Sequence, residues 1–283
     1  MDTVDVHTTT NERGQFVDVD NSGRAQAPPV LLLHGWTGSK EDFTQIVYPL
    51  SRDRRVIAPD LPGHGTCPPA VGSDYSLGAH VKWVVRLLDD LGIGDVHLLG
   101  HSHGGLIAQR LAYLQAQRIA SLTLVGCGLG AVGQTTRAVI EEVATTARDD
   151  GMQAAWARVE QGHQIDQTHQ ASVAESTVDH ARREFQRDRF LGMSAEAVVG
   201  VARNLITATP LGAFTYGIDF PVLVCHGQGD TSWLPREQRL LAKRIPGSTY
   251  AVISAAQHSP MVDNPVGMLQ VLQPFITALD VSS

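Results

Sequence analysis

The 283-residue sequence predicts an α/β fold, in which a mostly parallel central sheet is flanked by helices and carries an inserted helical cap. Three observations predict it. Short apolar runs that stop near glycine recur along the chain, as expected for strands buried on both faces of a parallel sheet. Amphipathic segments at helical spacing lie between these runs, which is typical of helices on both sheet faces. One long block contains helical periods and no strand.

The strand predictions begin with a hairpin. The segments VDVHTTT and QFVDVD, joined by a polar turn, predict two short strands in the first 20 or so residues. The apolar runs that follow predict strands over residues 30–35, 56–61, 96–100, 121–126, 222–227 and 250–253. The helical periods between and after them cover residues 76–92, 105–117, 235–245 and 264–279.

The block between two of these strands differs from the rest. Residues 131–217 are rich in Ala, Gln, Arg and Glu, with helical periods over 134–148, 152–161, 170–190 and 194–208. An all-helical block between one strand and the next predicts an insertion over the sheet edge. We therefore expect a core domain of residues 1–130 and 218–283 and a helical cap of residues 131–217.

Composition and charge limit which partners and which cellular location we expect for the protein. Apolar residues make up 43% and charged residues 18%, and the formal net charge is −7, so a nucleic-acid partner is not expected. No run approaches the ~20 apolar residues of a membrane span, and the polar, acidic N-terminus predicts no secretory signal. The chain has an odd number of cysteines, and these lie far apart, at Cys67, Cys127 and Cys225. This pattern indicates reduced thiols, so we expect a cytoplasmic protein. We expect a monomer or homodimer without a cofactor.

One short motif carries the predicted chemistry. Gly100-His101-Ser102-His103-Gly104 matches G-x-S-x-G, between a predicted strand and a predicted helix. That context is what a nucleophile elbow needs, because the sharp turn exposes the serine hydroxyl and the glycines remove colliding side chains. The sequence therefore predicts Ser102 as a nucleophile.

A serine hydroxyl needs a base, and the base needs an orienting carboxylate. His258 follows the last predicted strand and Asp230 follows the preceding one, giving the order Ser, Asp, His. Asp60, Asp219 and Asp263 sit less naturally for the acid. We predict a Ser102–His258–Asp230 triad.

The same reasoning predicts donors for a developing oxyanion. They are the backbone N–H groups of Trp36, just after Gly35, and of His103. His34 is expected to brace this loop, His101 to be structural and His103 to face the cavity. No third ligand accompanies the His101–His103 pair at suitable spacing, so no metal site is predicted.

Taken together, these motifs resemble the α/β-hydrolase superfamily. The segments that carry the resemblance are HGW (34–36), DLPGHG (60–65), GHSHGG (100–105), GQGD (227–230) and QHSP (257–260). The resemblance implies the fold and a hydrolytic triad, with the helical block as the variable cap. It leaves the substrate open, because esterases, lactonases, C–C hydrolases, amidases and thioesterases share these motifs.

Residues beside the catalytic loops indicate an apolar, small-molecule site. We expect Trp36, Leu129, Trp233 and Met261 to contact a small apolar or aromatic substrate. Further candidates from the cap, which could equally form a helix–helix core, are Trp156, His163, Phe185, Phe190, Met193 and Leu205.

These motifs are compatible with three functions. The first is a serine hydrolase acting on a small carboxylic ester or lactone. The second is a cofactor-independent dioxygenase, because the HSHGG elbow and Gly35-Trp36 resemble the quinolone dioxygenases, in which histidine deprotonates a hydroxy-quinolone that then reacts with O₂. Those enzymes tend to place the acid after the strand before the cap, where this chain has Gly126-Cys127. The third is a non-catalytic small-ligand receptor on the same scaffold.

Overall fold

Eight strands form one sheet in the computed structural model, which describes residues 8–11, 14–21, 27–167, 177–210, 212 and 218–280. They are β1 (Thr8–Asn11), β2 (Gly14–Val19), β3 (Val30–Leu33), β4 (Val56–Pro59), β5 (Val96–His101), β6 (Ile119–Val125), β7 (Val222–Gly227) and β8 (Thr249–Ile253). Their order across the sheet is β1-β2-β4-β3-β5-β6-β7-β8. The β1–β2 and β2–β4 pairs are antiparallel and all the others are parallel.

Ten α-helices surround the sheet in the described part of the chain. They are α1 (Thr44–Ser51), α2 (Leu77–Asp90), α3 (His103–Leu114), α4 (Gln134–Asp149), α5 (Met152–Gln167), α6 (Thr177–Leu191), α7 (Ala195–Thr207), α8 (Pro235–Arg244), α9 (Pro260–Asp263) and α10 (Pro265–Asp280). No sequence pattern predicts α1, a short helix that contains Pro49.

The predicted burial of the inner strands is confirmed. Every residue of β3, β4, β5 and β7 is buried, as expected for parallel strands covered on both faces. Neighbouring strand residues point to opposite faces, so Leu31 and Leu33 pack with α2 and α3, whereas Val30 and Leu32 pack with α1 and α10. The carboxyl ends of the parallel strands thereby meet at one rim of the sheet.

Four helices, α4 to α7, lie between β6 and β7. Their inner faces form an apolar cluster in which Trp156, Phe190 and Met193 are at most 4% exposed, so these candidate substrate contacts serve helix packing here. Leu205 is buried in the cluster that continues into the core, and Phe185 is 46% exposed. The side chain of His163 lies outside the described residues.

Two further observations concern the whole of the described chain. None of its helices combines the length and the apolar character that crossing a bilayer requires. Cys67, Cys127 and Cys225 are all buried, and burial raises the pKa of Cys225 to about 12. Burial also raises the pKa of Cys127, so the thiols of Cys127 and Cys225 have little thiolate character.

Candidate active site

Ser102 occupies a strained turn between β5 and α3. Its backbone has φ 54° and ψ −116°, a conformation that costs a non-glycine residue about 1–3 kcal/mol. The flanking glycines make the turn possible: a Cβ on Gly100 would collide with the backbone of Gly104, and a Cβ on Gly104 would collide with the Leu33 carbonyl. The Ser102 N–H donates to the Val125 carbonyl at 2.9 Å. This is the geometry of a nucleophile elbow.

His258 and Asp230 lie side by side at the same rim. His258 Nδ1 donates to Asp230 Oδ1 at 3.0 Å. Asp230 also accepts from the Ser232 N–H at 2.9 Å and from Gln238 Nε2 at 2.8 Å. Burial alone would raise the pKa of Asp230, but the nearby His258 and these hydrogen bonds hold it below its usual value. An ionised Asp230 can only accept this bond, so the proton lies on His258 Nδ1 and, in the neutral ring, Nε2 carries the lone pair.

The imidazole of His258 also contacts the elbow. Its ring centroid lies 4.8 Å from that of His101, the residue before Ser102. Ser102 Oγ has no hydrogen-bond partner among the described residues, so the acid–base pair is formed while the serine–histidine bond is not. Such bonds are often long in ligand-free enzymes and tighten when substrate binds.

Gly126, at the end of β6, leaves room for this pair. Its φ of +56° is in the left-handed region. A Cβ there would lie 3.2 Å from His258 Nδ1 and 3.3 Å from Asp230 Oδ2. This position therefore supplies no acid, and a side chain there would push on the pair already in place.

The loop that carries the predicted oxyanion donors approaches the nucleophile closely. A Cβ on Gly35 would lie 3.1 Å from Ser102 Cβ, so the loop passes directly beside the serine. The Trp36 N–H has no acceptor among the described residues, and the N–H of His103, first residue of α3, has none within its helix. Neither N–H group is therefore engaged within its own loop or helix.

His34 braces this loop. It is fully buried, Nδ1 donates to the Gly35 carbonyl at 2.8 Å and Nε2 accepts from the Leu61 N–H at 2.9 Å. Burial, the largest effect, lowers the pKa of His34 well below its usual value. The ring stays neutral, as one donor and one acceptor require.

The His103 side chain differs from its expected position. It has no exposed surface, so it does not face an open cavity. Its Nε2 lies 3.1 Å from Asn204 Nδ2 of α7, and its ring meets that of His80 edge-on at 5.1 Å. The reason is the inserted helical block, whose α7 packs over the start of α3 and encloses the ring.

The expected substrate contacts divide into two groups. Trp233 lies beside His258, with the two ring centroids 6.2 Å apart, but its side chain is only 2% exposed. Trp36 is half-buried and donates from Nε1 to the Val198 carbonyl at 3.0 Å. Leu129 is half-buried and packs against the apolar cluster that the sheet forms with α2 and α3. Met261 differs from the expectation, because it is fully buried among apolar residues of the α1 and α10 face. It offers no surface to a substrate here.

Two polar residues of the site were missed by the sequence analysis. Gln238 of α8 binds Asp230, and Asn204 of α7 binds His103. No motif marks either residue, since each meets its partner only after the helices pack. Among the described residues, no group of three His, Cys, Asp or Glu side chains is arranged to hold a metal ion.

Comparison with known proteins identifies the family. The model of the alpha/beta hydrolase fold family matches residues 28–265, and the chain belongs to that family, which confirms the resemblance drawn from its motifs. It is 27% identical to a putative 2-succinyl-6-hydroxy-2,4-cyclohexadiene-1-carboxylate synthase of Bacillus subtilis, over 97% of this chain and 99% of the relative. It is also 27% identical to a pimeloyl-[acyl-carrier protein] methyl ester esterase of Aeromonas salmonicida, over 92% of this chain and 99% of the relative.

Solved structures support the same fold. The enol-lactonase from Burkholderia xenovorans superposes with a TM-score of 0.77 at 23% identity, over 96% of this chain and 100% of the lactonase. Because the identity is low, this similarity establishes the architecture alone. The family match and the esterase relative together indicate an enzyme of the hydrolase kind.

Proposed function

We propose that this protein is a serine hydrolase that cleaves a small carboxylic ester or lactone through Ser102, His258 and Asp230. The observation that carries the proposal is the 3.0 Å bond between His258 Nδ1 and the buried Asp230 carboxylate, at the rim where the strained elbow presents Ser102. A carboxylate held this way fixes the histidine tautomer that can take a proton from serine.

The reaction follows from these positions. His258 Nε2 removes the Ser102 hydroxyl proton as Oγ attacks the carbonyl carbon, and Asp230 stabilises the resulting imidazolium. The negative oxygen of the tetrahedral intermediate accepts hydrogen bonds from the Trp36 and His103 N–H groups. The carbon–oxygen bond to the leaving alcohol breaks as His258 returns the proton to it. Water, deprotonated by His258, then releases the acid from the acyl-enzyme.

The surroundings support a small, apolar or aromatic substrate. Trp36, Leu129 and Trp233 lie around the catalytic loops, and Ser102 itself is only 6% exposed. A methyl ester esterase and an enol-lactonase among the similar proteins are consistent with compact ester groups. Neither metal nor organic cofactor has a step in this mechanism.

Steady-state hydrolysis of short-chain p-nitrophenyl esters and small lactones tests the proposal. Ser102→Ala should lower kcat by about 10⁴-fold or more, since members of a triad act as a unit. Ser51→Ala is the matched control, because Ser51 is a buried serine of α1 that binds the Tyr48 carbonyl. A Ser102→Ala enzyme that retains its rate would refute nucleophilic catalysis.

The same samples separate the two other functions weighed from the sequence. A fluorophosphonate probe should label Ser102 in the wild type and leave Ser102→Ala unlabelled. Oxygen uptake with carbon monoxide release from a 3-hydroxy-4-quinolone, dependent on His258 and insensitive to Ser102→Ala, would instead identify a dioxygenase. Tight ligand retention without labelling or turnover would identify a receptor.

A further inference from the structure

We propose that His101 is a positioning residue that holds the catalytic base against the nucleophile by donating a hydrogen bond from Nε2 to the backbone carbonyl of His258. The inference rests on the proposed function, because it assigns a role within the same site. It concerns a side chain that neither the triad nor the oxyanion donors include.

The contact joins distant parts of the chain. His101 Nε2 lies 2.8 Å from the His258 carbonyl oxygen, across 157 residues of sequence. The same two residues also touch ring to ring, with centroids 4.8 Å apart and planes inclined by 49°. His101 therefore holds both the backbone and the imidazole of the base residue.

The chemistry of the contact fixes the state of His101. A carbonyl oxygen can only accept, so Nε2 carries the proton and Nδ1 carries a lone pair in the neutral ring. The ring is 4% exposed, and burial followed by the nearby His258 lowers its pKa to about 3. His101 stays neutral while His258 gains and loses its proton. It therefore acts through His258 and does not compete as a second base.

The position of His101 in the fold gives the contact its effect. His101 ends β5, and the next residue is Ser102, so one side chain connects the backbone of the nucleophile to the backbone of the base. A misplacement of about 1 Å in a catalytic group can cost 10²-fold in rate. Without this bond, the position of His258 relative to Ser102 would depend on its bond to Asp230 and on the turn after β8.

The loop before the site leaves just enough room for the ring. A Cβ on Gly35 would lie 3.2 Å from His101 Nδ1. That nitrogen is buried and has no partner among the described residues, so packing and the single Nε2 bond together define the ring's place. A residue that kept the donor at the Nε2 position should preserve the function.

Three substitutions test this prediction. His101→Gln places an amide N–H near the position of Nε2, His101→Asn has a donor too short to reach the carbonyl, and His101→Phe keeps a ring without a donor. The matched control is His97→Phe, because His97 is another buried histidine of β5 whose Nδ1 meets Ser121 Oγ. Thermal unfolding of each variant establishes that it folds.

The kinetic readout is hydrolysis of p-nitrophenyl butyrate. His101→Phe and His101→Asn should lower kcat by about 10- to 100-fold with KM within a factor of about two, since the damage is to alignment and not to binding. His101→Gln should recover most of the loss, and His97→Phe should match the wild type. Wild-type kcat in His101→Phe, or an equal loss in His101→Gln, would overturn the proposal.

A second readout does not depend on ester turnover. The low-field proton resonance of His258 Nδ1–H, assigned by its loss in Asp230→Asn, reports how firmly the base is held. The resonance should persist in His101→Gln and His97→Phe. In His101→Phe the proton should exchange rapidly with water, so the resonance should disappear. A wild type that cleaves no ester and resists the fluorophosphonate refutes the proposed function. An unchanged resonance in His101→Phe refutes the positioning role.

Discussion

Arg189 of α6 binds Asp42, which follows the loop of the predicted oxyanion donors, and so ties the helical insertion to the catalytic core. Arg189 Nη1 donates to Asp42 Oδ1 and lies 3.3 Å from Ser39 Oγ. The two charged side chains are only 10% and 15% exposed. Replacing one residue of such an enclosed ion pair is costly, because the other charge stays buried without a partner.

Replacing Arg189 should therefore destabilise the fold. We expect Arg189→Met to lower the free energy of unfolding by about 3 kcal/mol, the lower end for a buried pair. Burial, the largest effect, already raises the pKa of Asp42 against the pull of Arg189, so the orphaned carboxyl can take up a proton. Urea unfolding measures the loss. Arg187→Met on the same helix, at a 47% exposed position, should stay within about 0.5 kcal/mol of wild type.

A buried pair beneath the oxyanion loop should give an acid-dependent stability. Asp60 accepts from Lys40 Nζ at 2.6 Å and from the backbone N–H groups of Lys40 and Thr66, each at 2.9 Å. Burial would raise the pKa of Asp60, but the hydrogen bonds from Lys40 Nζ and from the backbone N–H groups of Thr66 and Lys40 hold it below the usual 3.8. The stability that ionised Asp60 contributes is therefore fully present above pH 3.8 and is lost as the pH falls through the lowered pKa.

We expect Asp60→Asn to destabilise the protein at pH 7 and to differ less from wild type as the pH falls below about 4. Denaturant unfolding at several pH values measures this difference. A gap that stays constant down to pH 2 would contradict the assigned role of Asp60.

Replacing Asp230, the acid of the proposed triad, should lower kcat and leave KM nearly unchanged. Asp230→Asn keeps the shape of the side chain but offers an N–H to His258 Nδ1 and favours the wrong imidazole tautomer. The expected loss in kcat is about 10⁴-fold. Asp219→Asn provides the comparison, since Asp219 precedes β7 and was the weaker candidate acid. Equal losses in the two variants would argue against Asp230.

Gly126 should be required for alignment as well as for its backbone conformation. The methyl group of Gly126→Ala would lie 3.2 Å from His258 Nδ1 and 3.3 Å from Asp230 Oδ2. Both kcat and the free energy of unfolding should therefore fall. Gly92→Ala separates the two effects, because Gly92 has a similar φ of +66° and open space around it. It should lose about 1 kcal/mol of stability and keep its kcat. Parallel rate losses in both variants would refute the steric account.

The features predictable from the sequence were those encoded locally. The apolar runs predicted the buried strands, and the spacing of glycines around Ser102 predicted the elbow, because both depend on neighbours along the chain. His258 and Asp230 were found because the strands that precede them end at one rim. Their assignment as a triad remains our proposal.

The features that were missed depend on packing between distant elements. The short α1, with Pro49 inside it, has too few turns for a clear helical period. Met261 and the His103 ring were expected near the substrate, but α10 encloses the first and α7 the second. Gln238, Asn204 and Arg189 bear on the site through helix packing alone, which no single-sequence pattern encodes.

The tight packing around Gly126 also constrains how such a site can change. An ancestor or descendant that carried its carboxylate after β6 could not gain it by one substitution in this background, because the incoming side chain would meet an occupied acid–base pair. Loss of the existing acid would have to come first, through a crippled intermediate, or both codons would have to change together. As long as Asp230 and His258 keep their present positions, the packing at the end of β6 therefore excludes a carboxylate at residue 126.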